Sequence, residues 1–246
     1  MGIQRIKVLG VPVDILRPED LEIEILELLA KPGTKQIVFL SIWDLMRARR
    51  RGEFQDCINN ADLIIPVSKS IISGANFLKK EIPVRYNPFS LVINVLSILD
   101  AHFKSVYLLG SRGQTLHTAE RNVRDTFPTL KIVGRYVGYY PRSMESDIIQ
   151  SIHKTSPSLV LVSEGIKDKV CWVYKRRDKF NNSIFLYYNE CFGIFSKRIK
   201  RVDEKTFERG HEIYHEILRN PFKILLLFVF IKYALTLLCY KIFKSN

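Results

Sequence analysis

VYLLGSRGQTLHTAE, residues 106–120, is the stretch that decides the fold of this chain. Val106 to Leu109 form a continuous apolar run that suits a strand buried on both faces, Gly110 to Gly113 make a turn, and a helix follows. Two roles are open to the turn. Free backbone N–H groups after a strand and at a helix start can face an anion, which makes Gly110, Ser111, Arg112 and Gly113 candidate phosphate-binding residues, with Arg112 adding charge. Alternatively, the glycines serve only a tight corner. The segment does not complete G-x-G-x-x-G and no suitable acid follows it, so it is not a dinucleotide fingerprint. His117 reads as a helix-surface or packing residue.

The same strand-turn-helix unit repeats downstream. KIVGRYVGYY is a strand and its exit, SMESDIIQSIHKT a helix, SLVLVSEG a strand, KDKVCWVYKRR a helix, and SIFLYYNE a strand leading to a basic helical region. Upstream, IKVLGVPVDI alternates as a strand or hairpin and RPEDLEIEILELLA carries helical spacing with acids in its first turn. QIVFLS is a strand, IWDLMRARRRGEFQDCINNA a helix broken near Gly52, DLIIPV a short strand and SKSIISGANFLKKE a helix. Strands separated by helix-sized intervals predict an α/β fold: a Rossmann-like, doubly wound, mostly parallel sheet with a C-terminal basic and hydrophobic helical appendage. Ligands in such sheets sit beyond the carboxyl ends of strands, so the loops after Leu109, Val162 and Tyr188 are the places to search.

With 246 residues and 47% apolar content, the chain can bury one sizeable core. We divide it into an α/β core over residues 1–196 and a basic, hydrophobic appendage over 197–246. Thirty-eight Lys and Arg against 25 acids give a formal charge of +13, which favours anionic surfaces. Basic runs at 47–51, 175–177 and 197–201 carry much of it. No aromatic strand platform or recognition helix accompanies the charge, so nucleic acid is not an expected partner. Cys57, Cys171, Cys191 and Cys239 are widely spaced and form neither a disulfide framework nor a zinc knuckle. The start MGIQRIKVLGVPVDIL has no long apolar run or small-residue cleavage site, and Ile6 misses the myristoylation pattern. The body is therefore expected in the cytoplasm.

The tail differs. Ile224 to Tyr240 is almost wholly apolar, but Lys232 makes insertion across a bilayer costly. A helix lying on the membrane, with Lys223, Lys232, Lys241 and Lys244 reaching anionic headgroups, fits the pattern.

The order VYLLGSRGQTLHTAERNVRDTFPTLKIVGRYVGYYP, then IIQSIHKTSPSLVLVSEG and a helix with Trp172, resembles the WecG/TagA/CpsF glycosyltransferases. The likeness runs from IKVLGVPVDIL to about Pro221 and includes ADLIIP, PVRY, SKRIKR and RGHEIYHEILRNPFK. It implies transfer of an N-acetylhexosamine-type sugar from a UDP donor to a polyprenyl-diphosphate-linked acceptor in cell-surface polysaccharide synthesis. It also implies a place at the cytoplasmic face of the cell membrane, peripheral or C-terminally anchored. The expected functional residues are changed. The Asp-Gly pair after DLIIP, whose aspartate the resemblance makes the catalytic base, is Val67 and Ser68. The Thr and Asn ending the second strand are Phe39 and Ser41, and Gly-x-Asp after PVRY is Pro88, Phe89 and Ser90. Pro-x-Gln-Glu after LVLVSEG becomes Lys167 to Val170, and Gly193 stands where a Phe-Asp aspartate would be. Arg201 remains, followed by Val202 and Asp203.

Sugar transfer needs a base for the acceptor oxygen and positive charge for the leaving diphosphate. Glu190 and Glu164 are the candidate catalytic acids. Gly165, Lys167, Lys169 and Arg201 join Gly110 to Gly113 as candidate substrate or phosphate contacts. HEIYH, residues 211–215, matches H-E-x-x-H literally, but no convincing third ligand accompanies it, so neither a resident metal nor another cofactor is expected. Two readings follow: a membrane-associated glycosyltransferase with an altered UDP-sugar site, or a noncatalytic relative that scaffolds an active glycosyltransferase partner. A homo-oligomer is compatible with either.

Overall fold

A computed structural model describes residues 3–210 and 226–244. The chain starts with an antiparallel hairpin, β1 (Gln4–Val8) and β2 (Val11–Ile15). Its two-residue turn places Leu9 and Gly10 at φ 52° and 86°, the left-handed pair that a tight hairpin needs. Asp14 ties the hairpin to the body: its carboxylate accepts from the Ile64 N–H (2.6 Å) and from the Arg5 guanidinium (2.6 and 2.8 Å).

The main sheet has six strands: β3 (Lys35–Leu40), β4 (Leu63–Pro66), β5 (Ser105–Leu109), β6 (Lys131–Tyr136), β7 (Leu159–Val162) and β8 (Ile184–Tyr187). They lie in the order β4-β3-β8-β7-β5-β6, with every neighbouring pair parallel. Parallel strands require crossovers, and helices cover both faces. On one face Ile37, Leu63, Leu108, Leu161 and Leu186 pack under α1 (Leu21–Ala30), α5 (Pro88–Ala101), α6 (Gly113–Thr126) and α9 (Cys191–Phe195). The other face divides. Val38, Leu40 and Ile64 meet α2 (Ile42–Ala48), α3 (Glu53–Asn59) and α4 (Lys69–Phe77), while Tyr107, Val160 and Phe185 meet α7 (Glu145–Thr155) and α8 (Cys171–Tyr174). The α/β, Rossmann-like sheet expected from the strand spacing is the one observed.

Two elements depart from the sequence reading. No element was expected over 88–101, yet α5 is among the most buried helices; Asn87 caps it by accepting from the Phe89 N–H (3.1 Å), and Pro88 occupies the first turn. The helix expected over 167–177 shrinks to the four residues of α8 and a following 3-10 turn. Asp168 and Lys169 adopt φ 66° and 48°, which no helix allows.

What holds α8 instead is a side-chain clamp. The Trp172 indole N–H and the Arg176 guanidinium each donate to the Glu145 carboxylate at 2.9 Å. Burial opposes ionisation of Glu145, but these two hydrogen bonds and the Arg176 charge outweigh it and hold its pKa below the ordinary value. A depressed carboxylate pKa adds stability that is present above the unfolded-state pKa and lost as pH falls through the folded one. Glu145→Gln is thus expected to lower unfolding stability at pH 7 by about 1–3 kcal/mol. At a pH below both pKa values the difference from wild type should shrink, as urea titrations at the two pH values would show.

The short helix α10 (Glu204–Arg209) follows α9, and beyond residue 225 helix α11 (Leu226–Lys244) returns to the body. Tyr233 and Leu237 are buried against α2 and α4, and the Tyr233 hydroxyl donates to the Ser70 carbonyl at 2.9 Å. Gly74 makes this approach possible, because a Cβ there would lie 2.0 Å from the Tyr233 hydroxyl oxygen. Among the described residues no helix is long and apolar enough to cross a membrane.

Candidate functional site

The loops after β5, β6 and β7 are knotted together. Gly110 N–H donates to the Tyr136 carbonyl (2.9 Å), Ser111 N–H to the Glu164 carbonyl (2.7 Å), Gly138 N–H to the Ser111 carbonyl (2.7 Å) and Tyr139 N–H to the Gly165 carbonyl (2.8 Å). A Cβ on Gly138 would sit 2.5 Å from the Glu164 carbonyl oxygen and 3.0 Å from Gly165 Cα, which explains glycine there. Ser111, Tyr139, Asp168 and Lys169 all carry left-handed backbone, at φ 63°, 57°, 66° and 48°. Residues other than glycine tolerate this only where surrounding contacts over-determine it.

This geometry ties the first half of the opening turn to its neighbours. The Gly110 and Ser111 amides are spent on neighbouring loops, and Ser111 is fully buried. Arg112 and Gly113 remain exposed at the start of α6. Glu164 does not stand open: its carboxylate accepts from the Ser111 hydroxyl (2.9 Å) and pairs with Arg198 (2.6 Å). Lys167 and Lys169 are exposed on the same loop, and Gly165 lies under the Tyr139 ring.

A second centre lies at the carboxyl ends of β3, β4 and β8, where a cavity of about 1080 Å³ opens. Ser41, Val67, Ser68, Phe89 and Glu190 all line it, so positions scattered over 150 residues of sequence converge on one space. Glu190 and Lys69 are the charged side chains among its described lining residues, with Asn87, Tyr188 and Asn189 adding polar groups. Helix α11 forms its roof through Phe230, Tyr233, Ala234 and Leu237. Arg201 stands just outside, donating to Ser90 Oγ (2.9 Å) with its guanidinium 5.5 Å from the Phe89 ring centre.

Local sequence explains how the wall is aimed. Ser41 and Asp44 form a capping box at the start of α2, with the Asp44 N–H donating to Ser41 Oγ (3.2 Å) and the Ser41 N–H to the Asp44 carboxylate (3.3 Å). Burial raises the Asp44 pKa despite these bonds. Ser68 Oγ accepts from the Ile42 N–H (3.0 Å), tying the β4 exit to the same helix start. Nearby, burial pushes the Tyr187 hydroxyl up, with Tyr139, Asp44 and Glu164 adding to the effect. The S-x-x-D spacing of Ser41 and Asp44 and the Asn87-Pro88 pair were readable helix-start signals for this wall.

The cavity therefore occupies the place where the resemblance puts its Asp-Gly pair, Asn and Gly-x-Asp. A family model for the glycosyl transferases of the WecG/TagA/CpsF family matches residues 6–246. The chain belongs to that family. One relative is the N-acetylglucosaminyldiphosphoundecaprenol N-acetyl-beta-D-mannosaminyltransferase of Bacillus subtilis (strain 168), 19% identical over 187 residues that cover 76% of this chain and 72% of the relative. A Staphylococcus aureus (strain NCTC 8325 / PS 47) protein of the same name is 19% identical over 148 residues, 60% of this chain and 58% of its own length. The chain thus spans little more than half of that second relative.

The described residues hold no group of His, Cys, Asp and Glu arranged to bind a metal. The H-E-x-x-H match at 211–215 and Lys223 lie outside the described residues, as does the side chain of Lys244. Lys232 is exposed on α11, and Lys241 stands 4.0 Å over the Phe77 ring.

Proposed function

We propose that this chain transfers a sugar of the N-acetylhexosamine type from a UDP donor to a polyprenyl-diphosphate-linked acceptor at the cytoplasmic face of the membrane. The observation that carries this reading is Glu190, the carboxylate among the described residues of the strand-end cavity. In the proposed step Glu190 takes the proton of the acceptor hydroxyl, the acceptor oxygen bonds to the anomeric carbon, and UDP leaves with the electron pair of the broken bond. Positive charge for the leaving diphosphate comes from Lys69 in the wall and from Arg112, Lys167 and Lys169 on the adjoining loops.

A second reading has its own observation. Val67, Ser68 and Phe89 line the cavity where the resemblance puts acidic motifs, and Glu164 is engaged by Ser111 and Arg198. That pattern suits a noncatalytic relative positioning an active enzyme. Calorimetric titration of the full chain with UDP, with and without a divalent ion, separates the two. Saturable binding is the expected result, and its absence for folded protein would leave the noncatalytic reading standing.

Membrane attachment is proposed through α11. Phe228, Ile231, Leu235, Leu238 and Ile242 form an exposed apolar stripe at helical spacing, with Lys232 beside it and Lys241 near its end. Removing residues 222–246 is expected to shift the protein from anionic liposomes to the supernatant in flotation. Equal partitioning of both forms would overturn the attachment.

A further inference from the structure

The spacing of the four cysteines gives no disulfide framework, yet the fold brings two of them together. Cys57 of α3 and Cys171 at the start of α8 are 0% and 5% exposed and share one apolar cluster with α2, α3 and α4. Cys191 belongs to the cluster on the opposite face of the sheet, and Cys239 is exposed on α11. Several contacts hold the pair in place. Cys57 Sγ lies 3.8 Å from the Val170 carbonyl oxygen, whose carbon is bonded to the Cys171 nitrogen. The Gln36 amide spans the same spot, its Nε2 donating to the Val170 carbonyl (2.7 Å) and standing 3.9 Å from Cys57 Sγ. At the surface Lys175 of α8 pairs with Glu53 of α3 (2.9 Å) and with Asp168 (3.2 Å), so the two helices are tied on either side of the thiols.

The two thiols hydrogen-bond to each other, and their environments differ. The bond from Cys57 lowers the Cys171 pKa against the effect of burial, and the charges of Arg47 and Lys175 add to the lowering. The same bond, together with burial, raises that of Cys57. One thiol is set to ionise first and the other to follow, which is the division between an attacking and a resolving cysteine.

We propose that Cys57 and Cys171 form a peroxide-responsive pair that closes a reversible disulfide between α3 and α8 and fixes the loop entering α8. The Cys171 thiolate attacks one peroxide oxygen, the O–O bond breaks, and the departing hydroxide takes the proton released by the thiol, leaving a sulfenic acid and water. Cys57 sulfur then attacks the sulfenic sulfur and expels hydroxide, which leaves as a second water with the Cys57 proton. Two sulfurs lose two electrons, one peroxide gains them, and a thiol reductant reverses the bridge. In the cytoplasmic setting proposed above thiols are kept reduced, so such a bridge is a transient response and no permanent staple. Its reach is the segment with left-handed Asp168 and Lys169, because a covalent tie at Cys171 restrains the residues just before it. The inference stands apart from the transfer reading and holds whether or not the cavity is catalytic.

The test uses the reduced full chain carrying Cys239→Ser, which removes the exposed thiol. After a small excess of hydrogen peroxide the intact mass should fall by about 2 Da, the loss of two hydrogens, and return with dithiothreitol. Peptide mapping without reductant should place the bridge between Cys57 and Cys171. Amide exchange over residues 166–171 should slow in the oxidised form. Cys57→Ala should leave a sulfenic acid on Cys171 that dimedone traps, whereas Cys171→Ala should leave Cys57 unlabelled; the mapping needs neither variant to fold. A mass that gains oxygen without losing hydrogen, a bridge that uses Cys191, a bridge that forms only in denaturant, or unchanged exchange over the loop would overturn the proposal.

Discussion

Glu190→Gln is expected to lower sugar-transfer turnover by about 100- to 10,000-fold, the usual worth of a positioned general base, while leaving the unfolding midpoint close to wild type. Glutamine keeps the shape of the side chain and removes its negative charge and its basicity. The comparison that gives the result meaning is Glu164→Gln. Glu164 accepts from Ser111 and Arg198 across three loops, so its replacement should cost stability and reduce turnover less. The readout is initial rate with a UDP-sugar donor and a lipid-linked acceptor, alongside thermal unfolding of each variant. A larger turnover loss in Glu164→Gln would move the base to the other loop. Unchanged turnover in both would remove Glu190 and Glu164 as candidate bases.

The second large effect is on stability. Gly138→Ala should destabilise the fold by about 3 kcal/mol or more, because its Cβ would meet the Glu164 carbonyl, Gly165 Cα and the Ser111 amide, all of them backbone that cannot rotate away. For a chain of this size that corresponds to a fall of about 6–12 °C in the unfolding midpoint. Gly113→Ala is the control. Its Cβ would find only Val137 at 3.9 Å, so the change should stay within about 0.5 kcal/mol. Differential scanning calorimetry of the pair tests whether the glycine turn of the opening sequence is held by its neighbours. Equal, small shifts in both variants would refute the knot.

How far the sequence could be read follows from the range of the interactions involved. Runs such as VYLLG and LVLV announce buried parallel strands by themselves, since a strand covered on both faces needs apolar residues at every position. Gly52 likewise marked the break between α2 and α3. The start of α5 is locally encoded by the Asn87 cap and Pro88, but its burial depends on the sheet it covers. The helix around Trp172 is shorter than its spacing predicts. Its length is limited by left-handed Asp168 and Lys169 and by the Glu145 clamp, 27 residues away from Trp172, and neither leaves a local pattern.

The sequence by itself determined the α/β class, the succession of strands along the chain from the hairpin to β8, and membership of a glycosyltransferase family, because periodicity and family pattern are distributed along the whole chain. Only the tertiary structure decided which groups of the glycine turn are engaged by neighbouring loops. Ser111 and Glu164 lie 53 residues apart, and their hydrogen bonds spend the Ser111 amide and hydroxyl on a neighbouring loop. Only the tertiary structure, too, placed Ser41, Val67, Phe89 and Glu190 around one cavity and set Tyr233 over Gly74 as its roof. Such contacts depend on which surfaces the fold brings within a few ångströms of each other, a property of three-dimensional packing that no local spacing carries.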